Sequence, residues 1–252
     1  MCSVTNYKKV TPIINFVKYR FGLFCYHWDV EVVIRMKSWQ NRYIWCAVLA
    51  VAFAYIESSV VVYLRALYYP QGFCFPLKQM PLFVYLTEAG REVATIVVLV
   101  ALSHLVERTR TGRFFLFLYC FGIWDISYYL WLKALLNWPT TLLDWDVLFL
   151  IPLPWVGPVL SPVLISLLFI AAAVSVNHLA SRGRSITFRR VDRLLFLAAA
   201  LIIVASYLWK AGSVLDHEVP GGYPWWLWGI GVVLGLGVFL ARVFQSRRIR
   251  PR

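Results

Sequence analysis

Six uninterrupted apolar stretches decide what this chain can fold into. They fall near 45–68, 82–106, 114–136, 156–177, 194–212 and 224–243. Each approaches or exceeds the roughly 20 residues that a helix needs to cross a bilayer's hydrocarbon core. The 252 residues are 61% hydrophobic and 15% charged, against about 45–50% and about 25% in soluble domains. The runs are continuous and do not alternate, which argues against a transmembrane β-barrel. The predicted fold class is all-α: a polytopic transmembrane helical bundle of six spans.

Basic residues set the expected orientation. Twenty of the 25 Lys and Arg lie in the N-terminal segment, the second and fourth connections and the tail, and the other three connections hold only Lys78. Cytoplasmic connections carry the excess of Lys and Arg, so both termini are expected to be cytoplasmic. The expected location is the cell inner (plasma) membrane, as a multi-pass protein. The net charge of +13 then reflects topology, and the expected partners are membrane lipids, with no nucleic acid. Residues 1–44 mix aromatic residues such as Phe16, Phe21 and Trp28 with basic ones, as in a helix lying on an anionic leaflet; a loosely ordered basic arm fits as well. The expected organisation is this segment, a membrane domain over 45–243 and a basic cytoplasmic tail over 244–252. No signal-peptide pattern is evident near the N-terminus, so the first span is expected to direct targeting. Of the five cysteines, only Cys74 falls in an external connection, and no disulfide framework is implied.

Apart from Arg242 at the very end of the last one, eight charged residues lie inside the apolar stretches: Glu57, Glu88, Glu92 and Asp125, with Arg65, Arg91, Lys133 and Lys210. A charge at mid-bilayer costs about 3 kcal/mol on insertion scales, so such groups pair, face water or do chemistry. Glu88, Arg91 and Glu92 share one helix stripe through their i+3 and i+4 spacing. The first and third spans are alike: Glu57, Ser59, Tyr63 and Arg65 match Asp125, Ser127, Trp131 and Lys133 at the same spacing, each followed by Ala-Leu. The fifth span keeps Tyr207-Leu208-Trp209-Lys210-Ala211 but has Ile202 where the acid would be. This pattern suggests three repeated two-helix hairpins. Acid and base in each unit lie about 12 Å apart along the helix, about 80° past two full turns. The polar groups are therefore expected in the outer half of the bundle.

Other features have readings of their own. Pro152, Pro154, Pro158 and Pro162 interrupt the run after Trp145, so 145–157 is expected to be bent or re-entrant and to wall a cavity, since irregular backbone at membrane depth needs protein or water around it. Asp144 and Asp146 are expected to cap the helix that follows. Trp131, Trp138, Trp145, Trp155, Trp209, Trp225, Trp226 and Trp228 fit an interfacial belt, or a surface for a lipid or quinone ring. Gly231 and Gly235 allow close helix contact, within the bundle or in a dimer. His217, beside Asp216 and Glu218, lies in the last external connection. No Glu-x-x-His pair supports a di-metal bundle, so no metal site and no cofactor are expected. The nucleotide, zinc-protease and Gly-x-Ser-x-Gly motifs are absent, as is the Pro-x-acid-x-x-base signature of mitochondrial carriers.

These features lead to a transporter-like or binding role for an ion, a proton-coupled solute or a lipid headgroup, at a site formed by the eight charges. An intramembrane enzyme for a lipid-linked substrate, with Glu57 or Asp125 as general acid or base, would need similar residues. A non-catalytic subunit that pairs its charges in a homo-oligomer or membrane complex would need them too.

Overall fold

The computed structural model describes the backbone of residues 11–215 and 221–248, and side chains for 39–214 and 221–246. The N-terminal arm's side chains up to residue 38 and His217 lie outside these ranges. Contacts divide the chain into two units, one ending at Trp45 and one beginning at Cys46. In the first, the described backbone is helical, and Trp39 meets Tyr43 edge to face at 5.7 Å.

The protein is an all-α membrane bundle. Its helices are α1 (Thr11–Tyr68), α2 (Leu82–Val106), α3 (Arg110–Leu136), α4 (Leu160–Ser181), α5 (Arg190–Leu208), α6 (Ala211–Leu215) and α7 (Trp225–Phe244). Among the described residues, six helices are long and apolar enough to cross a membrane, the fifth span running through α5 and α6 from Arg190 to Val214. The sheet content is small: β1 (Trp145–Phe149) pairs antiparallel with β2 (Trp155–Pro158), and β3 (Arg184–Ser185) pairs with β4 (Arg247–Arg248).

Local chemistry sets the ends of the helices. Pro70 follows the last turn of α1 and Pro81 precedes α2, as proline's missing N–H requires. Thr109 caps α3 by accepting from the Gly112 N–H at 3.0 Å, and α3 stops at Asn137, whose φ of 52° lies in the left-handed region. Asp192 accepts the Arg189 N–H at 2.6 Å and the Arg242 guanidinium at 2.7 Å, tying the start of α5 to the end of α7.

The outer surface of the bundle is apolar, and small polar residues are set among buried apolar ones inside. Leu67, Phe83, Leu105 and Val233 are largely exposed on its outer surface, whereas Ser58, Thr95, Ser103, Ser161, Ser166 and Ser206 are buried. Lipid tails are as apolar as leucine, so close packing and hydrogen bonds hold such helices together. Glycine supplies the closest approaches. A Cβ on Gly122 of α3 would lie 2.6 Å from the Ser166 carbonyl oxygen of α4. One on Gly231 of α7 would lie 2.9 Å from the Ala199 carbonyl oxygen of α5. Gly231 thus packs inside the bundle. From Cys46 onward, α1 joins α3 through Trp131 Nε1, which donates to the Val51 carbonyl at 3.1 Å, and Ser58 Oγ, which lies 3.2 Å from the Tyr128 carbonyl.

The proline-rich run after Trp145 folds as a β-hairpin. Valine, phenylalanine and tryptophan favour pleated backbone, and the prolines bar a continuous helix. Pairing of β1 with β2 satisfies much of the backbone that would otherwise be stranded. Neither acid beside Trp145 caps α4, whose N-terminus has no side-chain cap. Asp144 instead closes its own turn: it accepts the Thr140 N–H and hydroxyl and the Thr141 hydroxyl, each at 2.7 Å. Burial pushes the Asp144 carboxyl up, but these hydrogen bonds together outweigh it and hold the group below its ordinary range.

Candidate functional site

A cavity of about 320 Å³ lies among α1 to α5 at the end of the bundle that carries the β-hairpin. Helix α1 contributes Glu57 and Arg65, α2 contributes Glu88, Arg91, Glu92 and Thr95, and α3 contributes Phe121, Trp124, Asp125, Tyr128 and Tyr129. The hairpin closes one side from Asp146 to Leu150 and with Trp155, while Phe169 of α4 and Tyr207 of α5 complete an aromatic wall. Trp155 stacks on Tyr207 at 6.3 Å, and Trp124 on Tyr128 at 6.3 Å.

Six of the eight charges singled out in the sequence line this cavity: Glu57, Arg65, Glu88, Arg91, Glu92 and Asp125. The other two lie elsewhere. Lys133 is exposed and donates to the Asn137 carbonyl at 3.4 Å and the Pro139 carbonyl at 2.9 Å, so it serves the C-terminal end of α3. Lys210 lies past the end of α5, near Gly221. The repeat between spans one and three is thus uneven in space: Glu57 and Asp125 both line the cavity, but of the matching bases only Arg65 does.

Asp146, expected from the sequence to cap a helix, instead lines the cavity; it is 3% exposed and forms an ion pair with Arg65 at 3.2 Å. The Arg65 guanidinium is also boxed by rings, 3.8 Å from the Trp138 centroid and 4.3 Å from that of Phe73. Burial pushes the Asp146 carboxyl up from its ordinary range, and the Arg65 charge only partly offsets this. An aspartate at the head of the apolar run VLFLIPLPWVG was the signal available for it.

Arg91 serves two acids. Its Nε donates to Glu88 Oε1 at 2.9 Å, its Nη2 contacts the same oxygen, and its Nη1 contacts Glu57 Oε2. Thr95 donates to the other oxygen of Glu57 at 2.7 Å. Glu92 and Asp125 are held differently. Glu92 Oε2 accepts the Leu150 N–H of the hairpin at 2.8 Å, and Asp125 Oδ2 accepts the Ser166 hydroxyl at 2.8 Å. Among the described residues, neither acid has a basic partner within 4.0 Å, and neither has a hydrogen bond on its second oxygen. Both are 8% exposed.

The balance inside is therefore acidic. Five buried carboxylates face two guanidiniums, with the exposed Lys78 as a third lining cation. Two buried carboxylates are backed only by neutral donors. Such a group is costly in a low dielectric unless it meets a counter-charge or a proton.

Comparison of the chain with known protein families, with characterised proteins and with solved structures gave no match. The class is defined by the fold and the site themselves. This is a polytopic integral membrane protein whose spans enclose an acidic, aromatic-walled cavity.

Proposed function

We propose that the protein binds a small organic cation in this cavity, in a transporter-like role. The observation that carries the reading is the pair Glu92 and Asp125, two buried carboxylates in the cavity wall with no base within 4.0 Å among the described residues. An ammonium group supplies the missing counter-charge and donates to the free oxygens in charge-assisted hydrogen bonds. The rings of Trp124, Tyr128, Trp155 and Tyr207 offer π faces to the cation and apolar surface to its hydrocarbon part. The volume lies at the small end of ligand pockets, which suits a metabolite-sized solute. In the proposed topology the termini are cytoplasmic in an inner membrane, and the cavity lies in the outer half of the bundle. Coupling to proton movement would use the same carboxylates.

The test is calorimetric binding of n-butylamine and phenethylamine to the purified full-length protein in lipid nanodiscs. Wild type is expected to bind with saturable heat. Glu92→Gln and Asp125→Asn, each checked for folding by circular dichroism, are expected to bind at least about tenfold more weakly, in line with the loss of a charge-assisted hydrogen bond. Equal binding by folded variants and wild type would contradict the reading.

A further inference from the structure

We infer that the natural ligand is a linear dication, a short aliphatic diamine or polyamine with separated ammonium groups. This rests on the cation-binding reading above and specifies its chemistry. The first ground is the pairing of the charged groups. Arg65 and Asp146 neutralise each other, and Arg91 is shared by Glu57 and Glu88. That leaves Glu92 and Asp125 as two carboxylates with no base within 4.0 Å among the described residues, each holding one oxygen free. A monocation satisfies one of them and leaves the other buried and uncompensated, a state that low dielectric disfavours. A dication satisfies both.

The second ground is the placement of the two acids on different elements. Among the described residues, no three carboxylates, thiols or imidazoles converge closely enough to hold a metal ion. The two lone acids stand on different helices and take their backing from different elements, Glu92 from the hairpin at Leu150 and Asp125 from α4 at Ser166. Charges spread over two walls fit two ammonium groups on a chain better than one compact divalent ion. The third ground is the aromatic wall beside Asp125. Phe121, Trp124 and Tyr128 follow one another on α3 beside Asp125, with Phe121 and Trp124 in ring contact at 5.5 Å and Trp124 stacked on Tyr128. Such a surface is suited to a methylene linker and to the positive edge of an alkylammonium.

The experiment compares 1,4-diaminobutane with n-butylamine on the full-length protein in nanodiscs, at equal ionic strength. The diamine is expected to bind at least about tenfold more tightly, equal to about 1.4 kcal/mol. Glu92→Gln and Asp125→Asn should each bring the diamine down to the affinity of the monoamine. Magnesium at the same charge concentration should compete weakly. If the monoamine binds in a Glu92- and Asp125-dependent way and the diamine binds no tighter, the dication inference is wrong and the cation site stands. If neither amine binds the folded protein, both fail. The comparison of ligands on wild type needs no variant, so a variant that does not fold leaves the test intact.

Discussion

The ion pair between Arg65 and Asp146 joins the end of α1 to the β-hairpin, and breaking it by Asp146→Ala has a calculable consequence. Arg65 is 7% exposed and Asp146 is 3% exposed. Removing one partner of a buried pair costs about 3–5 kcal/mol, because the other charge is left without compensation. The contacts of Arg65 with Trp138 and Phe73 survive the change. Contacts of this kind contribute about 0.5–2 kcal/mol each, so the expected loss lies near about 3 kcal/mol. Arg65→Met strands the Asp146 carboxylate in the same way. The double variant strands nothing, and replacing both members of a buried pair is often close to neutral. A double-mutant cycle, read by reversible unfolding in mixed micelles, should therefore give a coupling of at least about 2 kcal/mol. Independent sites add to within about 0.3–0.5 kcal/mol. Coupling no larger than that would refute the claim that the pair is buried and mutually dependent.

Other expected outcomes follow from the same geometry. Gly122→Ala should destabilise by about 1–3 kcal/mol as an overpacked contact, because its Cβ would meet the Ser166 carbonyl at 2.6 Å; it should also weaken amine binding, since Ser166 holds Asp125, and unfolding and calorimetry on one sample check both. Cys74 is exposed, and Cys46 and Cys120 are buried; in the proposed topology, a membrane-impermeant maleimide applied to intact cells should label Cys74, and labelling only after permeabilisation would reverse the orientation. Asp144 is held below its ordinary range in the folded protein, so its stabilising contribution is present above the unfolded value of about 3.9 and is lost as pH falls through the lower folded value. Asp144→Asn should flatten the acid limb of the thermal-stability profile; an unchanged limb would remove Asp144 as a cause.

The spans were legible because hydrocarbon-length apolar runs permit little else, and the carboxylates were legible because a charge within such a run is conspicuous. Three features were not. Lys133 resembles Arg65 in sequence, but a lysine near a helix end can turn to the last carbonyls, and it does so at Asn137 and Pro139. Asp146 stands 81 residues from Arg65, and no local pattern links two such positions. The stretch 145–158 reads as apolar and proline-broken, which bars a straight helix without naming its replacement; strand pairing between Asp146 and Gly157 depends on a register that periodicity does not carry. The excess of acid in the cavity was hidden for the same reasons. Four acids against four bases balance along the sequence, and the imbalance emerges once Lys133 and Lys210 lie outside and Asp146 lies inside.

The central claim is that Glu92 and Asp125 present their carboxylates to a cation inside the cavity. Infrared difference spectroscopy tests it most directly, with 1,4-diaminobutane added to the reconstituted protein and the carboxyl and carboxylate stretching regions recorded for wild type, Glu92→Gln and Asp125→Asn. Amine-induced bands are expected in the wild type, with a distinct component missing from each variant. A wild-type spectrum without amine-induced carboxyl bands, or bands that persist unchanged in both folded variants, would contradict it.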